Sequence, residues 1–328
     1  MNERNRRRRD LLPVAALLGV ALLTSCGSDP TGPGARDGVT AIELASDDGD
    51  YIGQGETYSY SQANALITVK RVSSGISITV EGDEDWTGAF RPRDAATRPE
   101  VGRYDDAVIS WEGDHRACGT TNGWFEIESV AYEGERLVEL ELHFVQFCRD
   151  IGTGPALHGD VSWSAYDTTV PPGPVDPPPS DLWQPNAASL PTAGNYLYLV
   201  SAPGDYIGQG EEHLFSPPGE VFDVYARGGH LAFVIEPVRA RGSFQVMNVI
   251  DRIQPGYYPG LQREGFSNPY TGGFSLGLGS RGCNRSRSWV VVDDVEFDGE
   301  DVAHVQMRFE QYCDNGAAPI RGVFRWTR

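Results

Sequence analysis

Four cysteines form two pairs with the same spacing. Cys118 and Cys148 lie 30 positions apart, and so do Cys283 and Cys313. Paired cysteines either form a disulfide or supply two thiolates to a zinc ion. The equal spacing predicts two disulfides, Cys118 to Cys148 and Cys283 to Cys313. Closing a loop of about 30 residues stabilises a fold by about 3.5 kcal/mol in the chain-entropy model.

A zinc site at each cysteine pair is the alternative. Such a site would need two further ligands besides the two cysteines. His115 and His143 lie near the first cysteine pair, whereas Ser280 and Arg308 occupy the corresponding places near the second. A second zinc site would therefore have only two ligands, and no metal is predicted.

Two further polar positions repeat beside the cysteines. Arg116 and Arg281 each precede the first cysteine of a pair by two positions, while Gln146 and Gln311 precede the second by two. An arginine and an amide could bind a carboxylate or a sugar hydroxyl. Buried amides more often satisfy backbone groups at a sheet edge, which favours a structural role.

The heptapeptide Gly-Asp-Tyr-Ile-Gly-Gln-Gly occurs at residues 49–55 and again at 204–210. Together with the repeated cysteines, it indicates an internal duplication. Its Asp50-Tyr51 and Asp205-Tyr206 pairs follow glycine, which predicts a turn in which the aspartate accepts hydrogen bonds from backbone amides.

Calcium is an alternative ligand for the first copy of this turn. Asp47, Asp48 and Asp50 could supply three carboxylates there, but the second copy has Ala202 and Pro203 in place of the first two. The two copies therefore share no calcium-binding pattern.

Two short patterns are typical of enzymes, but their context does not fit. Residues 273–277 match the nucleophile-elbow pattern and residues 277–282 match a dinucleotide fingerprint, yet no helix-forming segment follows either. The two copies also share no carboxylate pair or triad. The sequence predicts no catalytic residue and no cofactor.

Apolar residues alternate with polar ones throughout the chain, which is typical of β-strands. In residues 138–146, Val138, Leu140, Leu142 and Phe144 alternate with polar side chains. We predict an all-β fold of two tandem antiparallel β-sandwich domains, with a jelly roll as one form and a barrel as the alternative. Each module should contain eight or nine strands.

The predicted domain order has five parts. A lipoprotein signal peptide (1–25) and a flexible tether (26–39) precede β-sandwich module 1 (40–166), a proline-rich linker (167–194) and β-sandwich module 2 (195–328). Six prolines between positions 170 and 180 predict an extended, semi-rigid spacer.

The first residues resemble a bacterial lipoprotein signal. Five arginines precede an apolar run too short to span a bilayer, and Leu-Thr-Ser-Cys at positions 23–26 resembles a lipobox. The resemblance implies cleavage before Cys26 and lipidation of that cysteine, for example with palmitate. The expected location is the bacterial cell envelope, either the outer membrane or the cell surface, outside the cytoplasm.

The net charge of the whole chain is -19. Removing residues 1–25 removes five arginines but only two acidic residues, which leaves the mature chain near -22. Such a chain repels nucleic acid and anionic membrane surfaces, so contact with the membrane is expected only through the lipid.

The repeated motifs resemble a module found in secreted, mostly hypothetical bacterial proteins. The resemblance rests on residues 204–210, 256–258, 281–284 and 309–313, and it is weaker in the first copy, where Ala117, Gly119 and Val145 differ. It implies an extracytoplasmic β domain and no catalytic activity.

These features favour a surface-exposed binding or adhesion protein whose partner is a polysaccharide or a surface protein. Glycan is the expected ligand class, since exposed aromatic rings could stack on sugars; the candidates are Trp86, Trp111, Tyr257, Tyr258 and Tyr270. A structural envelope lipoprotein without a small ligand is the alternative, and a hydrolase is a more distant one.

One loop is the expected binding element. Thirteen residues separate Tyr104 from the following cysteine, whereas 24 separate Tyr258 from its own, so module 2 carries about eleven extra residues. Long loops without regular structure tend to be functional or disordered. The expected ligand contacts in loop 259–271 are Arg263, Phe266, Asn268 and Tyr270.

Overall fold

The described residues of module 1 form ten β-strands. The computed structural model describes residues 38–93, 98–148 and 154–328. The strands of module 1 are β1 (Ala41–Ser46), β2 (Thr57–Ser61), β3 (Leu66–Val72), β4 (Gly75–Glu81), β5 (Trp86–Pro92), β6 (Gly102–Tyr104), β7 (Ala107–Gly113), β8 (Thr121–Glu133), β9 (Arg136–Cys148) and β10 (Ala156–Ser164).

Module 2 also folds into ten strands, and a short 3-10 turn (Ala187–Ser189) precedes them. They are β11 (Tyr196–Ser201), β12 (Glu212–Phe215), β13 (Val221–Arg227), β14 (His230–Glu236), β15 (Ala240–Gln245), β16 (Gly256–Gln262), β17 (Gly273–Leu278), β18 (Ser286–Asp298), β19 (Asp301–Cys313) and β20 (Pro319–Thr327). The described residues contain no α-helix.

The two modules arrange their strands in the same order. In module 1 a six-stranded sheet (β2-β1-β10-β9-β8-β6) accompanies a four-stranded sheet (β3-β4-β5-β7). The equivalent strands of module 2 form one ten-stranded sheet, because single pairs, Arg227 with Asp301 and Gln262 with Gly273, join the edges of its two halves. The prediction of an all-β, antiparallel fold is confirmed, and module 2 is partly closed towards a barrel.

The sequence predicts eight or nine strands per module, and this number is too low, since the described residues of each module form ten. The three-residue strand β6 (Gly102–Tyr104) shows why, since it is too short for an alternating pattern to reveal it. The tight turns between the longest strands each contain a glycine with positive φ, Gly134 at 59° and Gly299 at 67°.

The alternating pattern places each core between sheets. On β9, Leu140, Leu142 and Phe144 are at most 2% exposed and contribute to the core of module 1. In module 2, Phe233 and Phe324 stack with their ring centroids 4.3 Å apart. Burial of aromatic and aliphatic side chains supplies most of the stability of such a fold, because removing apolar surface from water is favourable.

The proline-rich segment is not the free spacer that the sequence predicts. Val175 exchanges two backbone hydrogen bonds of 2.8 and 2.9 Å with Tyr257 on β16. Further along, Trp183 packs against Tyr196 and Tyr198 on the outer face of β11. Those two tyrosines would otherwise expose apolar surface, so the linker lies along module 2 instead of holding the modules apart.

The described residues form one compact unit, in which the two modules touch directly. The predicted signal, the predicted lipidation site Cys26 and all but the last two residues of the predicted tether lie outside the described residues.

Candidate functional site

The aspartate of the repeated heptapeptide organises its turn in module 1. Its Oδ2 accepts hydrogen bonds from the backbone amide of Gly53 (2.7 Å) and from the Ser46 hydroxyl (2.9 Å), and Asp50 is buried. The Ser46 hydroxyl in turn accepts from the backbone amide of Gly55. The predicted turn is confirmed. Its hydrogen bonds use the Asp50 carboxylate, which a calcium ion at this turn would require.

Module 2 repeats this turn. Asp205 accepts hydrogen bonds from the amide of Gly208 (2.6 Å) and from the hydroxyl of Ser201 (2.7 Å). The tyrosine that follows each aspartate has no comparable role, since Tyr51 and Tyr206 are 54% and 53% exposed.

The repeated arginine binds the same turn from the cysteine loop. Arg116 donates from Nε to the carbonyl oxygen of Ile52 at 2.7 Å, and Arg281 donates to that of Ile207 at 2.8 Å. Both isoleucines are fully buried, so each arginine satisfies a backbone carbonyl next to the core. These contacts give the two arginines a structural role.

The repeated glutamine joins the two sheets of each module. Gln146 accepts from the Trp111 amide (2.6 Å) and donates to the Trp111 carbonyl (2.9 Å). Gln311 makes the same pair of bonds to Leu276, at 2.8 and 3.0 Å. Both glutamines are 1% exposed, and the structural role that the sequence favours is confirmed.

Both predicted disulfides are present, joining Cys118 to Cys148 and Cys283 to Cys313. These thiols are therefore not available to zinc. Two disulfides are compatible with an oxidising, extracytoplasmic location.

Three of the aromatic residues expected to stack on sugars are in the core. Trp86, Trp111 and Tyr258 are at most 1% exposed, and burial raises the pKa of Tyr258 to about 12. They share strand parity with buried neighbours, such as Phe90 on β5 and Ile109 on β7, so alternation could have identified the two tryptophans as core residues.

The long loop of module 2 docks against module 1. The side chain of Asn268, only 1% exposed, donates from Nδ2 to the carbonyl oxygen of Asn64 (2.7 Å) and to Oδ1 of Asp83 (3.2 Å). The hydroxyl of Tyr270 is 3.3 Å from Oε1 of Gln62. Two of the four residues expected to contact a ligand are thus occupied by the contact between modules.

This docking creates a cleft of about 990 Å³ that neither module forms alone. Module 2 lines it with the other two expected residues, Arg263 and Phe266, and with Arg285 and Arg287 from the start of β18. Phe266 is 72% exposed, and the guanidinium carbon of Arg263 lies 4.9 Å from its ring centroid. An aromatic ring therefore projects from a polar surface into this cleft.

Module 1 lines the cleft with carboxylates around two strand ends: Glu84 and Asp85 precede β5, Glu112 lies next to the last residue of β7, and Asp114 follows that strand. Burial, together with the nearby Asp114 carboxylate, raises the pKa of Glu84. Arg285 of module 2 reaches Asp114 at 3.2 Å, which is the ion pair that bridges the two walls.

The turn after β7 has an unusual backbone. Asp114 and His115 both have positive φ, 44° and 63°, and both line the cleft. Module 2 has Gly279, with φ 63°, and Ser280 in the corresponding turn. Non-glycine residues at positive φ cost of order 1 kcal/mol each, and such strain often occurs at functional sites.

No protein-family model matches this chain, and comparison with curated proteins and with solved structures gives no match either.

Sequence reasoning missed the carboxylate wall and two arginines, Arg285 just before β18 and Arg287 within it. The run Asp83-Glu84-Asp85 and the alternation of Arg285 and Arg287 with serines are visible in the sequence, but nothing there indicates that they face each other. Across residues 38–93, 98–148 and 154–328, no group of three or more His, Cys, Asp or Glu side chains is placed to hold a metal ion. In that same part of the chain, no helix is both long and apolar enough to cross a membrane.

Proposed function

We propose that this chain is a lipid-anchored extracytoplasmic binding protein, that its ligand-binding site is the cleft between the modules, and that its ligand is a glycan. The exposed ring of Phe266 carries this proposal. Monomeric proteins usually bury large aromatic side chains, and one held in a polar cleft suits a ligand that has both apolar and polar faces.

A sugar ring is such a ligand. Its C–H face packs on an aromatic ring, while its hydroxyls form hydrogen bonds with carboxylate, amide and guanidinium groups. The cleft offers all three groups within a volume of about 990 Å³, which is enough for several sugar units.

The anchor belongs to the same proposal. Lipidation at Cys26 would hold the mature chain at the membrane, and the two disulfides suit the oxidising space outside the cytoplasm. The proposed site is a single one, and it needs residues of both modules.

The test is a glycan array probed with the mature chain carrying Cys26→Ser. We expect at least one glycan to bind, and Phe266→Ala to weaken that binding about tenfold, since aromatic stacking and the buried area together supply about 1.4 kcal/mol. Tyr225→Ala is the matched control, because Tyr225 is 58% exposed but does not line the cleft.

Binding that survives Phe266→Ala unchanged would place the site elsewhere. An array on which nothing binds would favour the alternative of a structural envelope lipoprotein.

A further inference from the structure

The two walls of the cleft have net charges of opposite sign, and on the wall from module 1 the carboxylates outnumber Arg116. On the wall from module 1, Asp85 and Glu112 are exposed and form no ion pair with any other described residue. Glu112 accepts a hydrogen bond only from the hydroxyl of Ser110. Asp114, by contrast, is held by Arg116 at 2.7 Å.

The wall from module 2 has a net positive charge, since Arg263, Arg285 and Arg287 outnumber Asp314, whose Oδ1 accepts a hydrogen bond from the backbone amide of Arg285 at 3.0 Å. Arg287 is exposed, with its guanidinium carbon 5.4 Å from the ring centroid of Tyr312, and Arg263 donates to the carbonyl oxygen of Asn284 at 3.1 Å. Neither arginine has a carboxylate partner among the described residues. The chain carries 27 basic and 46 acidic residues, so acidic side chains are abundant. A lack of acidic partners therefore does not explain why these arginines are unpaired.

Among the described residues, only Arg285 and Asp114 pair across the cleft, at 3.2 Å. The remaining charges face the space between the modules. A ligand of one charge would be attracted to one wall and repelled by the other, whereas a ligand with both charges would satisfy both walls.

We infer that the glycan bound in this cleft is zwitterionic, with amino groups directed to Asp85 and Glu112 of module 1 and carboxylates directed to Arg263 and Arg287 of module 2. Phe266 packs against a sugar ring between the two charged groups. This inference rests on the function proposed above, and it adds the chemical class of the ligand.

Three forms of one sugar backbone test it. A hyaluronan hexasaccharide carries carboxylates only, its N-deacetylated form carries amines and carboxylates, and the deacetylated form with reduced carboxyl groups carries amines only. Affinities for the mature chain are measured by calorimetry. We expect the zwitterionic form to bind about tenfold more tightly than either singly charged form, because one additional charge-assisted hydrogen bond strengthens binding by about a factor of ten.

Two variants test which wall of the cleft contacts the amines of the ligand and which contacts its carboxylates. The double variant Asp85→Asn with Glu112→Gln should lose about tenfold in affinity for the two amine-bearing forms and nothing for the acetylated form. Arg287→Gln should lose affinity only for the two carboxylate-bearing forms. Glu128→Gln and Arg91→Gln are the controls, because they remove exposed charges outside the cleft. They should leave the affinity for all three forms unchanged. Unchanged circular dichroism and melting temperature confirm that each variant is folded.

The inference is overturned if either singly charged form binds as tightly as the zwitterionic one, while glycan binding that depends on Phe266 would still support the proposed function. A peptide of alternating lysine and glutamate that binds more tightly than any sugar would overturn the glycan class. If no glycan binds, on the array or here, the proposed function fails and this inference fails with it.

Discussion

Asn268→Asp tests whether the long loop of module 2 holds the modules together. The two side chains have nearly the same shape, and the new carboxylate can still accept the hydrogen bond that the amide of Tyr270 donates at 2.9 Å. It cannot donate to the carbonyl of Asn64 or to the carboxylate of Asp83. The substitution therefore removes the contacts between modules and keeps the local turn.

The expected loss follows from these two hydrogen bonds. A bond to a neutral carbonyl contributes about 1 kcal/mol and one to a carboxylate about 2 kcal/mol, so docking loses about 3 kcal/mol before any repulsion from Asp83 is counted. That corresponds to a decrease of more than a hundredfold in the docking equilibrium constant. Two of the remaining contacts, the bond from Gln262 to the carbonyl of Asp83 (3.0 Å) and the ion pair between Arg285 and Asp114 (3.2 Å), are exposed and therefore weaker.

Small-angle X-ray scattering measures the result. The radius of gyration of the variant should increase at pH 7, because the modules separate. In the docked state the introduced carboxyl faces a carbonyl and a carboxylate, which raises its pKa above that of a free aspartate. Repulsion therefore disappears as the pH falls through that raised pKa, and the compact form should return between pH 7 and pH 4.

Asn284→Asp is the control, since Asn284 lines the same cleft but is exposed. Unchanged scattering from the Asn268→Asp protein at pH 7 would refute the assignment of this loop as the docking element.

Four further predictions concern single groups. Gln146→Leu leaves a buried backbone amide and carbonyl unpaired, so chemical denaturation should show a loss of about 3 kcal/mol. Replacing Cys118 and Cys148 together by serine should cost about 3.5 kcal/mol in the same assay, and a loss below 1 kcal/mol would contradict the loop-entropy argument. The pKa of Glu84 is raised on folding, so its ionised form destabilises the fold above that pKa. Glu84→Gln should therefore raise the melting temperature at pH 7. This gain depends on pH and should vanish near pH 4. Cys26→Ser should abolish fatty-acid labelling and release the protein from the membrane fraction, and retention after washing would reject lipidation.

Repetition within the chain explains why the repeated residues could be interpreted from sequence. Asp50, Gln146 and their counterparts recur at matching places, and each bonds to backbone within its own module. The fold reuses these contacts because both sandwiches need the same turn and the same link between sheets. Repetition thus marked residues that maintain the fold, and the proposed binding residues lie where the two copies differ.

The loop of module 2 shows the limit of the same reasoning. Its extra length distinguishes it from the loop of module 1, but composition could not separate the roles of its residues. Phe266 is 72% exposed in the cleft, whereas Asn268, two positions later, is 1% exposed against module 1. Which side chain points outward depends on the surface that the loop meets, and that surface is about 200 residues away in sequence.

The sequence by itself determined the all-β class, the strand alternation and the two disulfides, because each depends on periodicity or on spacing within one module. Only the tertiary structure decided that the linker packs on module 2, that Asn268 is buried against module 1, and that two walls of opposite net charge face each other. The physical reason is that these features arise from contacts between distant segments, and the free energy of such contacts depends on shape and burial, which no local pattern records.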